Sequence, residues 1–338
     1  MLLLLLSCME SPPPAPPAPT IEGLSAAAPT PIEILTLKQS QISLRLALPN
    51  TAGTTAILDE DGNLLFWTPP ADPVPVPTTA SLVDLTRSRE HLIGLTEDGT
   101  VLLWPDEIPT GRSGDGLIAA DRDADLIAVL QGGLLVVDAA SLEILWQVES
   151  SELTAITIGG GQVFDFDATR LQLTARDART GAIRSQQTIR APHRSPSKGG
   201  KARPSWEISS PARAAPPGTP RTLQELRGAL HYDPTTDRLF FRQLVLDGRT
   251  LEPLGHISGI DEVLYADQSR IIAQRRGWDG TVSVMGIDPD TLEIQGRVPL
   301  LRPEGEPHIF YDPDTRHLTL SEPGRGRLLL WNAPLTSP

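Results

Sequence analysis

The sequence predicts an all-β protein assembled from about seven small antiparallel sheets of four strands each. Three observations carry this. A phrase recurs at long range: "HYDPTTDRLFF" runs from His231 to Phe241 and "FYDPDTRHLTL" from Phe310 to Leu320. Tyr232 and Tyr311 stand 79 residues apart, the span of two units of ~40 residues. From Ile32 onward the apolar residues come in short runs, each closed by Gly, Pro, Asp or Asn, which is the pattern of strands and turns. Pro (33) and Gly (28) are abundant in a chain of 338 residues, which favours many turns over long helices.

Within each unit three phrases give the order of strands. The first is a strand, an Asp-rich turn and a second strand, as in "LIAADRDADLIAVL" (Leu117–Leu130), "VLYADQSRIIAQ" (Val263–Gln274) and the two Tyr-Asp-Pro phrases. The second is a Gly turn into a strand ending in Trp: "DGNLLFW" (Asp61–Trp67), "DGTVLLW" (Asp98–Trp104) and "GRLLLW" (Gly326–Trp331). The third is Asp, two residues, Ser or Thr, and a last strand: "VDAASLEILW" (Val137–Trp146), "RDARTGAIRS" (Arg176–Ser185) and "IDPDTLEIQG" (Ile287–Gly296). Asp caps its own turn and Pro presets φ, so these residues belong at such places.

Chained together, the phrases mark units at about 38–80, 81–115, 116–149, 150–190, 222–258, 259–300 and 301–338. A four-stranded unit of this size cannot bury both faces alone, and seven of them resemble a β-propeller. The last unit stops one strand short at Trp331, and Ile32–Lys38 is a spare strand ahead of the first. An N-terminal strand completing the last blade is therefore expected; six or eight blades are the alternatives. The pattern Asp138, Ser141, Trp146 resembles the repeat of PQQ-type propellers, with partial copies at Asp177, Thr180, Gly181 and at Asp288, Thr291. The "DG-x-L-L-x-W" phrase is similar to a WD40-type blade. Both imply a fold and leave function open.

Ahead of the propeller, Leu5-Leu6-Ser7-Cys8 resembles the lipobox of bacterial lipoproteins. The resemblance implies cleavage of residues 1–7, lipidation of Cys8, and an extracytoplasmic address on the bacterial cell envelope, in the periplasm or at the surface. Residues 9–31 include "SPPPAPPAPT" (Ser11–Thr20) and read as an extended proline-rich tether. Residues 32–338 form the propeller. Its plan is similar to that of propeller lipoproteins of outer-membrane assembly. Cys8 is the only cysteine, so an intramolecular disulfide is impossible.

Residues 190–221 break the repeat. They are crowded with Pro, Ser, Ala and Gly, and carry seven cations against the single acid Glu207. That is a net +6 in a chain of net −13, leaving −19 for the rest. Such a segment reads as a long disordered surface loop, and Arg194, Lys198, Lys201, Arg203 and Trp206 are its candidate partner contacts. The acidic body repels phosphate backbones, so nucleic acid is not an expected partner.

No catalytic constellation emerges. The six histidines show no metal-binding spacing, and neither a nucleophile elbow nor a P-loop occurs. Asp121, Asp123 and Asp125 lack the glycine and distal Glu of an EF-hand and align with ordinary turns. Gly159–Gly161 lead into a strand and read as a turn. His231 and His317 are expected at surface or edge positions. The expectation is a monomeric, non-catalytic scaffold without cofactor or metal, anchored by lipid and binding a protein or an envelope polymer. The alternative is a propeller enzyme, lactonase-like or PQQ-dependent, whose residues converge on the central channel.

Overall fold

The computed structural model describes residues 33–36, 44–49, 54–189 and 230–332, apart from 69–70, 79, 89–90, 104–105, 122–125, 151, 278, 302–306, 314–315 and 323–326. These residues form seven four-stranded antiparallel sheets and no helix. Blade 1 holds Leu44–Pro49, Thr55–Asp59, Leu64–Trp67 and Val74–Val76, from innermost strand to outer. Blade 2 holds Leu82–Arg87, Leu92–Thr96, Thr100–Leu103 and Asp106–Pro109. Blade 3 holds Leu117–Ala120, Leu126–Leu130, Leu134–Asp138 and Glu143–Val148, and blade 4 Leu153–Gly159, Gln162–Asp167, Gln172–Asp177 and Ile183–Thr188. Blade 5 holds Leu230–Asp233, Arg238–Phe241, Leu244–Asp247 and Pro253–His256, and blade 6 Glu262–Ala266, Ile271–Arg276, Val282–Ile287 and Ile294–Leu301.

Blade 7 takes three strands from the C-terminus, His308–Asp312, His317–Glu322 and Arg327–Asn332, and its outer strand from the N-terminus. Glu33–Thr36 pairs antiparallel with the last strand, Glu33 opposite Leu330 and Thr36 opposite Arg327. The spare strand and the missing one are thus the same strand, and apart from it the unit boundaries read from the phrases match the observed sheets to within one residue, at Leu301.

The core is divided among the seven blade junctions. The second strand of blade 3, Leu126–Leu130, shows why. Ile127 and Val129 pack with Val83, Ile93 and Leu95 of blade 2, whereas Leu126, Ala128 and Leu130 pack with Leu153, Ile158 and Val163 of blade 4. Alternate side chains of a strand face opposite ways, so a strand inside a propeller needs apolar residues at every position. The outer strands cover only one junction and read accordingly: Ile183 and Leu254 are exposed where they turn outward.

The third phrase folds into the same turn in every copy, between the third and outer strands. Asp138 Oδ1 accepts the backbone N–H groups of Ala140 and Ser141 at 3.0 Å each, and Asp288 Oδ1 those of Asp290 and Thr291 at 2.9 Å. A fourth copy with the same spacing, Asp247-Gly248-Arg249-Thr250-Leu251, closes identically, with the Arg249 and Thr250 N–H groups on Asp247 Oδ1. The residue after Ser or Thr is left-handed in all four: Leu142, Gly181, Leu251 and Leu292 have φ of 59°, 72°, 61° and 58°. Leucine bears this conformation badly. Only Gly181 avoids the strain, and it could not carry a side chain, because a Cβ there would lie 2.7 Å from the Trp146 ring. Trp146, on the outer strand of blade 3, donates its Nε1–H to the Ala178 carbonyl of blade 4 at 2.8 Å. Trp67 is likewise buried, at the junction of blades 7 and 1.

Candidate partner-binding surface

The strand order gives the propeller two unlike faces. Turns between the first and second strands and between the third and outer strands lie on one face, here the turn face. Turns between the second and third strands and the crossovers from one blade to the next lie on the other, the crossover face.

The crossover face is braced from beneath by glutamines. Gln131, fully buried, donates its Nε2–H to the Thr96 carbonyl at 3.1 Å and to Gly114 at 2.6 Å, pinning the crossover from blade 2 to blade 3. Arg112 on that crossover pairs with Glu149 of the next at 2.8 Å. Gln243 repeats the device between blades 5 and 6: its Nε2–H reaches the Ile260 carbonyl at 2.6 Å and its Oε1 the His256 ring at 3.1 Å. Neither glutamine stands out in the sequence, because a polar residue in a turn looks exposed until the neighbouring crossover covers it.

The crossover from blade 4 to blade 5 contains the basic segment. Cys8, the tether 9–31, Arg194, Lys198, Lys201, Arg203 and Trp206 all lie outside the described residues. The two flanks are described. Ile189 donates its N–H to the Leu171 carbonyl at 2.7 Å, and Ile189 and Leu230 are both buried in the core cluster between blades 4 and 5. Beside this root the crossover face exposes Leu171 and Arg170, the latter between Glu152 and Asp167 at 3.6 Å from each.

Burial displaces several titratable groups, three of them on the first two strands of blades 4, 5 and 6. The Asp165 carboxyl is pushed up, with Arg176 Nε at 2.7 Å opposing the shift. The half-buried His231 imidazole, at an edge-strand position of the kind expected for it, is pushed down to about 4. It sits on the innermost strand of blade 5, 6.1 Å from the Phe240 ring. The Glu262 carboxyl is pushed up to about 7, with Gln274 Nε2 donating to it at 2.6 Å. The three belong to three different blades, and no hydrogen bond joins any two of them. Among the described residues no group of three His, Cys, Asp or Glu is placed to hold a metal ion. Asp121 closes a turn through its own N–H, 2.8 Å from the Leu126 carbonyl, while Asp123 and Asp125 lie outside the described residues.

No family model and no curated protein matches the chain. Solved structures match by shape. The WD40 domain of Pan2 from Neurospora crassa aligns with a TM-score of 0.57 at 11% identity, over 91% of this chain and 96% of that one. The β-propeller domain of Cps50 (Swd1) from Myceliophteria thermophila aligns at 0.58 and 14%, over 90% and 99%. A chain of the mitotic checkpoint complex aligns at 0.59 and 12%, over 98% of both. At such identities the likeness is one of fold, and the fold is a seven-bladed, WD40-like β-propeller.

Proposed function

We propose that this chain is a non-catalytic scaffold that binds another protein through the crossover face around blades 4 and 5, with the basic segment 190–221 as its contact arm. The observation that carries this is the rooting of the segment: Ile189 and Leu230 enter one buried core, so an arm of net +6 springs from a rigid platform on an otherwise acidic body. Rigid sheets presenting variable loops are a common design for binding surfaces. A fold neighbour drawn from a multiprotein complex agrees with this use of the scaffold. The lipobox resemblance at Cys8 and the proline-rich tether that follows support attachment to the bacterial envelope, with the propeller held on the extracytoplasmic side. A thioether-linked diacyl group with an added N-acyl chain would anchor stably where one chain is marginal.

Crosslinking followed by affinity capture from envelope fractions tests the binding. Replacing Arg194, Lys198, Lys201 and Arg203 with Ser, or Trp206 with Ala, should abolish capture of the same partner while leaving the melting temperature unchanged. Retention of that partner by both variants would refute the role of the arm. Attachment is tested separately: Cys8→Ala should leave the membrane fraction, and an unmodified Cys8 in the native protein would rule the anchor out.

A further inference from the structure

The twice-occurring Tyr-Asp-Pro phrase lies between the first and second strands of blades 5 and 7. Each copy ends on a left-handed residue, Asp237 (φ 55°) in one and Arg316 (φ 56°) in the other. That exchange changes the chemistry. In blade 5 the Tyr232 hydroxyl donates to Asp237 Oδ1 at 2.7 Å, and Asp237 Oδ2 holds Arg249 at 2.7 Å. In blade 7 the acceptor's place is taken by an arginine, which has only donors.

The consequence is a stranded hydroxyl. Tyr311 is 8% exposed, and its buried hydroxyl has no hydrogen-bond partner among the described residues. A second donor is stranded beside it. Arg270 Nε is buried without a hydrogen bond, with Asp267 Oδ2 at 3.9 Å, beyond hydrogen-bonding reach. The Arg270 guanidinium lies 5.8 Å from the Tyr311 ring centre and 6.0 Å from that of Tyr265, and the two rings are 5.2 Å apart. The nearby acids are engaged. Asp267 accepts from the Tyr265 hydroxyl at 2.8 Å, the Ser269 N–H at 2.7 Å, the Ser269 hydroxyl at 2.6 Å and the Arg270 N–H at 2.9 Å. Asp312 pairs with Arg87 at 3.5 Å. Arg316 is exposed at the rim, and its charge acts on the Tyr311 hydroxyl.

The Tyr311 hydroxyl and Arg270 Nε, buried without a hydrogen bond among the described residues, and the exposed Arg316 nearby suit a small group with several acceptor oxygens and negative charge. We propose that the turn face between blades 6 and 7 is an oxyanion site, in which Tyr311, Arg270 and Arg316 take one carboxylate or phosphate group. The site lies on the face opposite the Ile189–Leu230 crossover and stands or falls independently of the proposed arm. Free phosphate and an acidic side chain of a docked peptide offer the same chemistry, and the test separates them.

The test uses the full chain, titrated with inorganic phosphate and with capped glutamate, each against chloride at constant ionic strength, by calorimetry and melting. Wild type should bind phosphate and melt higher in it. Arg316→Gln should weaken binding at least fivefold with an unchanged melting temperature in chloride. Tyr311→Phe should melt no lower than wild type in chloride, since the lost hydroxyl has no partner, and should bind at least threefold more weakly. Tyr232→Phe, which does lose a partner, should melt lower and bind phosphate normally. Binding of phosphate alone assigns the site to phosphate groups; binding of both probes assigns it to carboxylates as well. The proposal is overturned if phosphate has no effect beyond chloride, if all variants respond alike, or if Tyr311→Phe lowers the melting temperature in chloride as Tyr232→Phe does.

Discussion

Arg87 Nη1 lies 3.5 Å from Asp312 Oδ2, so the innermost strand of blade 2 is tied to that of blade 7 past the whole of blade 1. The Asp312 side chain is 2% exposed and that of Arg87 17%. Removing one partner of a buried pair takes this contact from the other charge, at a cost of up to about 3 kcal/mol. Arg87→Met and Asp312→Leu should each lower stability on that scale, and the double variant should lose clearly less than their sum. Urea unfolding of the four proteins measures this. Additive losses would mean that the two side chains do not act as a pair.

The closing strand supports a second prediction. Glu33–Thr36 completes blade 7 through its ladder with Arg327–Leu330. Deleting residues 32–38 uncovers that strand's hydrogen-bonding edge, and an unpaired edge invites pairing with another chain. The truncated protein should melt well below wild type and form oligomers in sizing chromatography. A synthetic peptide of residues 32–38 added in excess should restore the monomer. A truncated chain with unchanged melting would show that the ring closes without this strand.

The left-handed leucines divide into two kinds. Leu142 is 38% exposed and carries its strain with little packing in return, whereas Leu251 is fully buried in the core between blades 4 and 5. A left-handed non-glycine residue costs about 1–2 kcal/mol, and truncating a buried leucine about 2–5 kcal/mol. Leu142→Gly should therefore be neutral or stabilising, and Leu251→Gly destabilising by at least ~1 kcal/mol. Equal effects in thermal melts would refute the division.

These contrasts show what was legible in the sequence. The turn at Asp138, Asp177 and Asp288 is built by a carboxylate on backbone N–H groups two and three residues ahead, so its chemistry is local and repeats as a motif. The copy at Asp247 carries the same spacing, with Thr250 three residues on. Blade number and closure followed from counting such turns. His231 lies on an edge strand as its phrase suggests, but a single strand position gives no sign of how deeply it is buried. Arg87 and Asp312, 225 residues apart, become neighbours only when the ring closes. The stranded Tyr311 hydroxyl has a visible sequence signal, the change from Asp237 to Arg316 within a repeated phrase, but it means something only once Tyr232 is seen bonded to Asp237.

The last prediction concerns pH. Burial lowers His231 from 6.5 to about 4, against the pull of Asp233. Between those values the unfolded chain binds a proton that the folded chain refuses, so the contribution of His231 is complete above pH 6.5 and is lost as pH falls toward 4. Glu262 runs the other way. Burial, aided by Asp261 and opposed by Arg242, raises it from 4.5 to about 7. The folded chain keeps a proton that the unfolded chain releases, so this contribution is complete below pH 4.5 and is lost as pH rises through 7. Both residues keep part of their surface accessible, which limits each effect to on the order of 2 kcal/mol. From pH 4.5 to 6.5 the two slopes oppose each other, and wild-type stability should be nearly flat. Glu262→Gln should leave a protein whose urea midpoint rises with pH across that window. His231→Gln should leave one whose midpoint falls from pH 4.5 to 7. Midpoints at pH 4.5, 5.5, 6.5 and 7.5 for the three proteins decide the matter, and parallel profiles would show that neither group titrates under the constraint of the fold.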